Sequence, residues 1–412
     1  MNQRVALLPL LPLLTLSSLF PVTAITQADD DPNWVRIALD DRFRSEGVAA
    51  GDFNKDGVMD VVAGDVWYQA PSTGNYTDPQ LWTTQEIRPP GEFVAGKGYS
   101  NSFANTAWDM NGDGWMDVVI IGFPGDPFAW YQNPGPDGGL WKEHRIWTSI
   151  CNESPEFEDL NGDGTPEFVF GSQPEAQMGF VAINGDSFRF QAISEPSRED
   201  PSSNRRGLDN GTFKYYHGLG VGDMNGDGHE DIIIPHGWWE SPGNLTSQKT
   251  WTFHPILADG KRLPDCANIY TDDFDMDGDA DLIFSSAHQF GVWWAENQGD
   301  SGWALHEIDT SYSQTHAMER VDVNGDGQLD YVTGKRFFAH NGRDPGGNDD
   351  VVMCWYEVRR TAGQPPRFTP HRITAGVGTG IGTQFEILDM NGDSKPDIVL
   401  SNKKGVNVLL QK

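Results

Sequence analysis

Ten histidines stand out first, because imidazole titrates near neutrality and can move protons or ligate metals. Four of them (His144, His254, His306 and His371) sit in a recurring Trp/Phe-x-x-His-x-Ile pattern and are assigned to structure. His229 occupies a variable position of an acidic loop and is read as solvated. Five remain: His217, His236, His288, His316 and His340. His217 and His316 each stand six residues before an acidic block, a column filled by Glu46, Phe103, Glu153, Ala267 and Thr383 elsewhere. His236 stands five residues after the last acid of its block, Asp231. Asp65, Gly122, Ser172, Ser286, Lys335 and Asn402 share that second column. His288 lies two residues further along its block, and His340 five beyond Lys335. These registers predict that the five imidazoles meet on one face near a central axis, together with Lys335, Arg336 and Lys403. We take His217, His236, His288, His316, His340, Lys335 and Arg336 as candidate catalytic residues. Glu46, Asp65, Tyr216, Asn402 and Lys403 are candidate substrate contacts.

The acidic block is itself a second chemistry. Asp-x-Asn/Asp-x-Asp-Gly-x-x-Asp begins at Asp52, Asp109, Asp159, Asp223, Asp273, Asp322 and Asp389, at spacings of 49 to 67 residues. Oxygen ligands at positions 1, 3, 5 and 9 turn inward when the chain curls round a hard cation, and glycine at position 6 permits the sharp turn. The predicted calcium ligands are Asp52, Asn54, Asp56 and Asp60; Asp109, Asn111, Asp113 and Asp117; Asp159, Asn161, Asp163 and Glu167; and Asp223, Asn225, Asp227 and Asp231. The later blocks supply Asp273, Asp275, Asp277 and Asp281; Asp322, Asn324, Asp326 and Asp330; and Asp389, Asn391, Asp393 and Asp397. One such turn is an ordinary β-turn; seven in register are a repeat. Glu167 at position 9 and Ser394 at position 6 are the departures.

The elements that position these residues follow from the repeat. A short strand precedes each block, and a β-branched run follows it (VVAG, VVII, FVFG, IIIP, LIFS, YVTG, IVLS). A third strand carries paired aromatics such as Trp238-Trp239 and Trp293-Trp294, and the fourth carries the His pattern. Four strands in each of seven units predict an all-β, seven-bladed β-propeller over residues 29–412. The chain ends on a third strand, Asn407–Lys412, and Trp34–Ile37 has the pattern of the missing outer strand, expected to close the ring. The long loops 88–102, 195–216 and 372–384 are expected on the histidine face, bringing Phe93, Lys97, Tyr99, Arg205, Arg206 and Tyr215.

Composition narrows the partners. The chain has 412 residues, 29 Lys plus Arg against 60 Asp plus Glu, and a net charge of -31. That field argues against nucleic acid and anionic lipid as partners. Residues 1–28 read as a signal peptide, with Arg4 ahead of a short apolar run broken by Pro9 and Pro12, so a secreted or periplasmic protein is expected. No later segment is long and apolar enough to span a membrane. Three cysteines allow at most one intrachain disulfide. Sequons stand at Asn75, Asn152, Asn210 and Asn244.

The acidic block followed by a strand resembles the FG-GAP/VCBS repeat, known from the calcium-loop propellers of integrin α subunits and of secreted bacterial proteins. That resemblance implies a propeller with structural Ca²⁺. Two stretches, His217-Gly-Leu-Gly-Val-Gly-Asp-Met-Asn-Gly-Asp-Gly with Gly237-Trp-Trp-Glu-Ser-Pro242, and His316 with Gly334-Lys-Arg-Phe-Phe-Ala-His340, resemble the propeller of aldos-2-ulose dehydratase. They imply a carbon–oxygen lyase that dehydrates keto-sugars, with a second divalent metal such as Zn²⁺ at the histidines. The alternatives are a β-propeller polysaccharide lyase, or a non-enzymatic calcium-dependent carbohydrate-binding or adhesion propeller. The expected partner is a small-molecule or oligosaccharide substrate.

Overall fold

The computed structural model describes residues 29–412 other than 73, 186, 203, 246, 248 and 377. The predicted signal peptide lies outside the described residues. The seven runs after the acidic blocks form strands buried along their length, from Asp60–Ala63 to Asp397–Asn402. Their apolar side chains lie between layers on both faces, as β-branched residues favour. Each strand pairs antiparallel with the short strand before its block and with the aromatic strand after it. The result is a β-propeller of small four-stranded sheets.

The expectation of seven separate sheets needs correcting. Hydrogen bonding leaves five standing apart, four with four strands and one with five. The fourth and fifth repeats are fused into one eight-stranded sheet. Their first strands, Leu219–Gly222 and Asn268–Asp272, pair in parallel through Leu219 with Asn268 and Gly220 with Ile269. The cause is the missing side chain: a Cβ on Gly220 would lie 2.1 Å from the Ile269 carbonyl oxygen, and one on Gly222 2.1 Å from Thr271 Oγ1. Two backbones can therefore approach to pairing distance where side chains would hold them apart.

The amino-terminal segment makes two attachments. Trp34–Asp40 pairs antiparallel with Gly405–Gln411 as the outermost strand of the last sheet. Asp29–Asp31, which has no strand pattern in the sequence, adds in parallel to Gln364–Ile373 as the fifth strand of the sixth repeat's sheet. The Asp31 carboxylate accepts the indole N–H of both Trp34 and Trp355, each at 3.0 Å. Among the described residues, seven apolar clusters each join neighbouring repeats. Trp67, Val118 and Trp141 meet between the first and second, and Ile37, Val61, Tyr68 and Val408 between the last and the first. Burial of each such side chain contributes roughly 1.5–3 kcal/mol. All three cysteines are buried free thiols.

Candidate functional site

The first column of residues does converge. His217 directly precedes the strand Leu219–Gly222, and His316 precedes Met318–Val321, so both rings enter the space round the axis as their strands begin. Their centroids lie 5.4 Å apart. His288, from the turn between the second and third strands of the fifth repeat, lies 4.5 Å from His217 and 5.6 Å from His316. His340 covers them at 4.6 Å from His288 and 6.1 Å from His316. Four of the five predicted imidazoles therefore form one cluster.

His236 does not join it. Its ring sits between the Tyr216 hydroxyl at 3.2 Å and the Asp209 carbonyl oxygen at 2.9 Å, a satisfied buried pair. Tyr216, a predicted substrate contact, is thereby committed to His236. The four outer-strand histidines instead stack on tryptophans at 4.1–4.3 Å: His144 on Trp130, His254 on Trp238, His306 on Trp294 and His371 on Trp355.

Each clustered ring has a distinct environment. His316 is 1% exposed, with Nδ1 facing the Gln314 carbonyl oxygen at 3.2 Å. His217 Nε2 lies 3.9 Å from Glu153 Oε1, and His288 Nδ1 lies 3.9 Å from Asp265 Oδ2. Burial, with neighbouring His288 and Arg336 adding to it, drives the His217 pKa well below its usual value. Burial does the same to His316, so both are neutral with a lone pair to offer. The Nε2 atoms of His217, His288 and His316 are all buried and have no hydrogen-bond partner among the described residues. His340 differs: its side chain is about one-third exposed, and Nδ1 sits 2.7 Å from Asp344 Oδ2.

The turn that carries His340 is strained and heavily braced. Phe338, His340 and Asn341 all have left-handed backbones, at φ 53°, 46° and 56°. Such conformations are unfavourable for residues with a Cβ and persist only where surroundings impose them. Here the His340 N–H donates to the Tyr99 hydroxyl at 3.1 Å, and Lys403 Nζ donates to the Phe338 carbonyl at 3.2 Å. Lys335 Nζ donates to the Gly346 carbonyl at 2.7 Å, tying down the same loop.

The cationic residues are spent on the protein itself. Arg336 is 1% exposed; its Nε and Nη2 donate to Glu46 Oε2 at 3.0 and 2.8 Å, and Nη1 donates to Glu153 Oε2 at 3.2 Å. Burial works against its charge, but the two carboxylates outweigh it and hold its pKa above the usual value. Tyr99 and Phe103 lie across the guanidinium at 5.4 and 5.6 Å. Lys403, 4.4 Å from the Tyr99 ring centre, is lowered to about 8 by burial. Burial also lowers Lys335. Asp65 pairs with Arg88 and accepts the Gly91 N–H, while Asn402 donates to the Thr379 and Gly380 carbonyls. Of the predicted contacts, Glu46 thus holds Arg336, Lys403 braces the turn that carries His340, and Asp65 and Asn402 hold loops. Sequence reasoning missed Asp344 and Asp265. Asp344 has a local signal, four residues beyond His340, whereas Asp265 has none.

On the opposite face the acidic loops share one geometry. In the Asp109 loop, Asp109 accepts the N–H groups of Gly112, Asp113 and Gly114; Asn111 Oδ1 accepts that of Asp113, and Asp113 Oδ1 that of Trp115. Ser394 keeps this turn with φ 66°, where the other loops use glycine. The ninth-position acids lie deeper than the ligand reading implies. Asp117 accepts backbone N–H groups from Met110 and Asn133, stapling its loop to the third strand. Burial pushes Asp60, Asp117, Glu167, Asp231, Asp281 and Asp330 up to about 7, and Asp397 to about 6. Asp273, Asp275 and Asp277 bring carboxylate oxygens within 4.8 Å of one another, a spacing suited to a shared cation.

Comparison with known proteins agrees on the repeat. A family described as FG-GAP-like repeat matches residues 109–170 and 273–333, so the chain carries FG-GAP-like repeats on a β-propeller. Similar solved structures include BBS1N in complex with ARL6DN, soaked with lead, at 10% identity and a TM-score of 0.49 over 92% of this chain and 98% of that one. YCF48 bound to D1 peptide aligns at 13% identity and a TM-score of 0.43 over 93% and 97%. An auxiliary nutrient binding protein from Bacteroides ovatus aligns at 9% identity and 0.39 over 72% and 66%. Among the described residues, no helix is long and apolar enough to cross a membrane.

Proposed function

We propose that the protein is an exported carbohydrate-active carbon–oxygen lyase that dehydrates keto-sugars at the histidine cup. In this reading seven repeat units close into one ring, and calcium in the acidic loops keeps its far face rigid. The observation that carries it is the pair His340 and Asp344. A partly exposed imidazole, oriented by a carboxylate at 2.7 Å, stands beside His288 and His316 at the mouth of the cluster. With its Nδ1 proton donated to Asp344, His340 presents Nε2 as a base. It takes the proton from the carbon next to the substrate carbonyl, and that C–H pair becomes the new double bond. The C–O bond one carbon further on breaks, and hydroxide leaves as water with the proton the imidazolium returns. One keto-sugar gives one enone and one water.

Elimination on a polyuronate is the weaker reading. It needs a free cation to neutralise the uronate, and Arg336 is already held by Glu46 and Glu153. The test is an ultraviolet assay of the purified protein with 1,5-anhydrofructose and related keto-sugars, beside His340→Ala. Enone absorbance from wild type, lost in the variant, is the expected result. No turnover with calcium and divalent transition metals supplied sinks the lyase reading and leaves a binding propeller.

A further inference from the structure

On the acidic-loop face, one repeat breaks the rule that the other six keep. In those six, the ninth-position aspartate accepts an N–H from its own third strand or just beyond it, at 2.7–3.2 Å. The third repeat has Glu167 there, one methylene longer. Its Oε2 accepts the Leu160 N–H at 3.0 Å and its Oε1 the Asn161 side-chain amide at 3.4 Å. Among the described residues, it takes no N–H from its third strand, Gln177–Ala182. Asn161 has turned with it, since in the first, second and fourth loops the matching amide donates to the fifth-position aspartate instead. The outer aromatic changes too. Where four repeats stack tryptophan on histidine, the third sets Phe180 opposite Gln191. Local departures from a consistent pattern are expected where a function, not the fold, chooses the residue.

Where the staple is missing, the surface opens. A cleft of about 510 Å³ lies between the third and fourth repeats, a size usual for small-molecule sites. Phe180, Ile183 and Leu245 make its apolar wall, and Thr165, Glu167 and Asn184 supply polar atoms. Phe180 is held from behind by Trp251, ring centres 6.2 Å apart, within the apolar cluster the two repeats share. The described lining contains no lysine, arginine or histidine.

We propose that this cleft binds a neutral saccharide, a role that does not rest on the lyase reading. Sugar hydroxyls both donate and accept, which suits a carboxylate, an amide and a hydroxyl set round one opening. The C–H face of the ring suits the apolar wall. Carboxylates in the lining with no basic residue to offset them turn away uronates and sugar phosphates. The site lies away from the histidine cup, so it anchors the protein to a glycan rather than feeding the cup.

The test is saturation-transfer NMR on the full chain in saturating calcium, with maltohexaose, cellohexaose and laminarihexaose as probes. Wild type is expected to transfer saturation to at least one of them. Asn184→Trp, an exposed substitution that fills the cleft, is expected to abolish the transfer, and His340→Ala to keep it. No transfer to any of the three overturns the site. Transfer that survives in Asn184→Trp also overturns it, and so does transfer lost in His340→Ala, which places the glycan in the cup.

Discussion

Arg336 shows what a single buried charge commits a fold to. Its guanidinium reaches from the sixth repeat to Glu46 of the first and Glu153 of the third, so one side chain ties together the floor of the cup. A buried ion pair is weak evidence for net stability, but removing one partner strands the others in a medium that cannot solvate them. Arg336→Met is therefore expected to lower the unfolding free energy by about 3–5 kcal/mol in urea denaturation. Adding Glu46→Gln and Glu153→Gln should recover much of that loss. If Arg336→Met unfolds like wild type, the network is not holding the floor. Role and position also part company here: Arg336 lies beside the clustered imidazoles in space, yet it is buried and each of its three nitrogens already donates to a carboxylate.

At the scale of the element, the first strands of the repeats line the axis, and their side chains make that lining acidic. Glu319 of Met318–Val321 accepts the Tyr270 hydroxyl at 3.3 Å, and Glu386 of Phe385–Leu388 accepts the Ala50 N–H at 2.8 Å. Burial raises both to about 8, and for Glu319 the nearby Glu386 adds to it. A carboxyl raised in the fold holds its proton while the unfolded chain, titrating near 4.5, has lost it. Its contribution is complete below that unfolded value and is lost as pH rises through about 8. Stability in excess calcium should therefore decline across that window, and Glu319→Gln with Glu386→Gln should flatten the decline. An unchanged slope in the double variant, read from denaturation midpoints, would place its source elsewhere. The same strands explain the fused sheet: glycine at 220 and 222 sets how closely two strands approach, which a pattern of apolar residues does not encode.

For the whole molecule, the acidic loops and the amino-terminal segment are where stability is expected to depend on conditions. In the Asp109 loop the carboxylates at positions 1 and 5 accept backbone N–H groups of one turn, and in the Asp273 loop three carboxylates bring oxygens within 4.8 Å of one another. Without a cation they repel one another, and a ligand that binds only the folded state stabilises it by mass action. At a calcium concentration 100 times the dissociation constant, each occupied loop adds about 2.7 kcal/mol. Chelation should therefore lower the melting temperature steeply, and calcium should restore it. A melting curve indifferent to chelator would contradict calcium binding by the loops. Asp29–Asp31 and Trp34–Asp40 pair with strands of the sixth and seventh repeats, so the first described strands complete sheets built from the far end of the chain.

Much of this was legible from residue types and spacing alone. Seven acidic blocks with fixed internal spacing give the loop geometry, because the side-chain oxygens and the turn glycines act over a few residues. The column six residues before each block found His217, His316, Glu46 and Glu153 because the repeat imposes one register on every first strand. What lies between repeats was decided by tertiary structure. The second column put His236 beside His288, yet the loop through Asp209 captured its ring. Asn152 and Asn210 fit the sequon, but the fold buries both; Asn152 Oδ1 accepts the Gly171 N–H, and Asn210 Nδ2 donates to the Ala176 carbonyl. The partnering of Arg336 with two carboxylates and of His340 with Asp344 likewise depends on which loops meet over the axis. Local spacing fixes a turn; only packing of distant segments fixes which polar group finds its partner first and which is left open for a ligand.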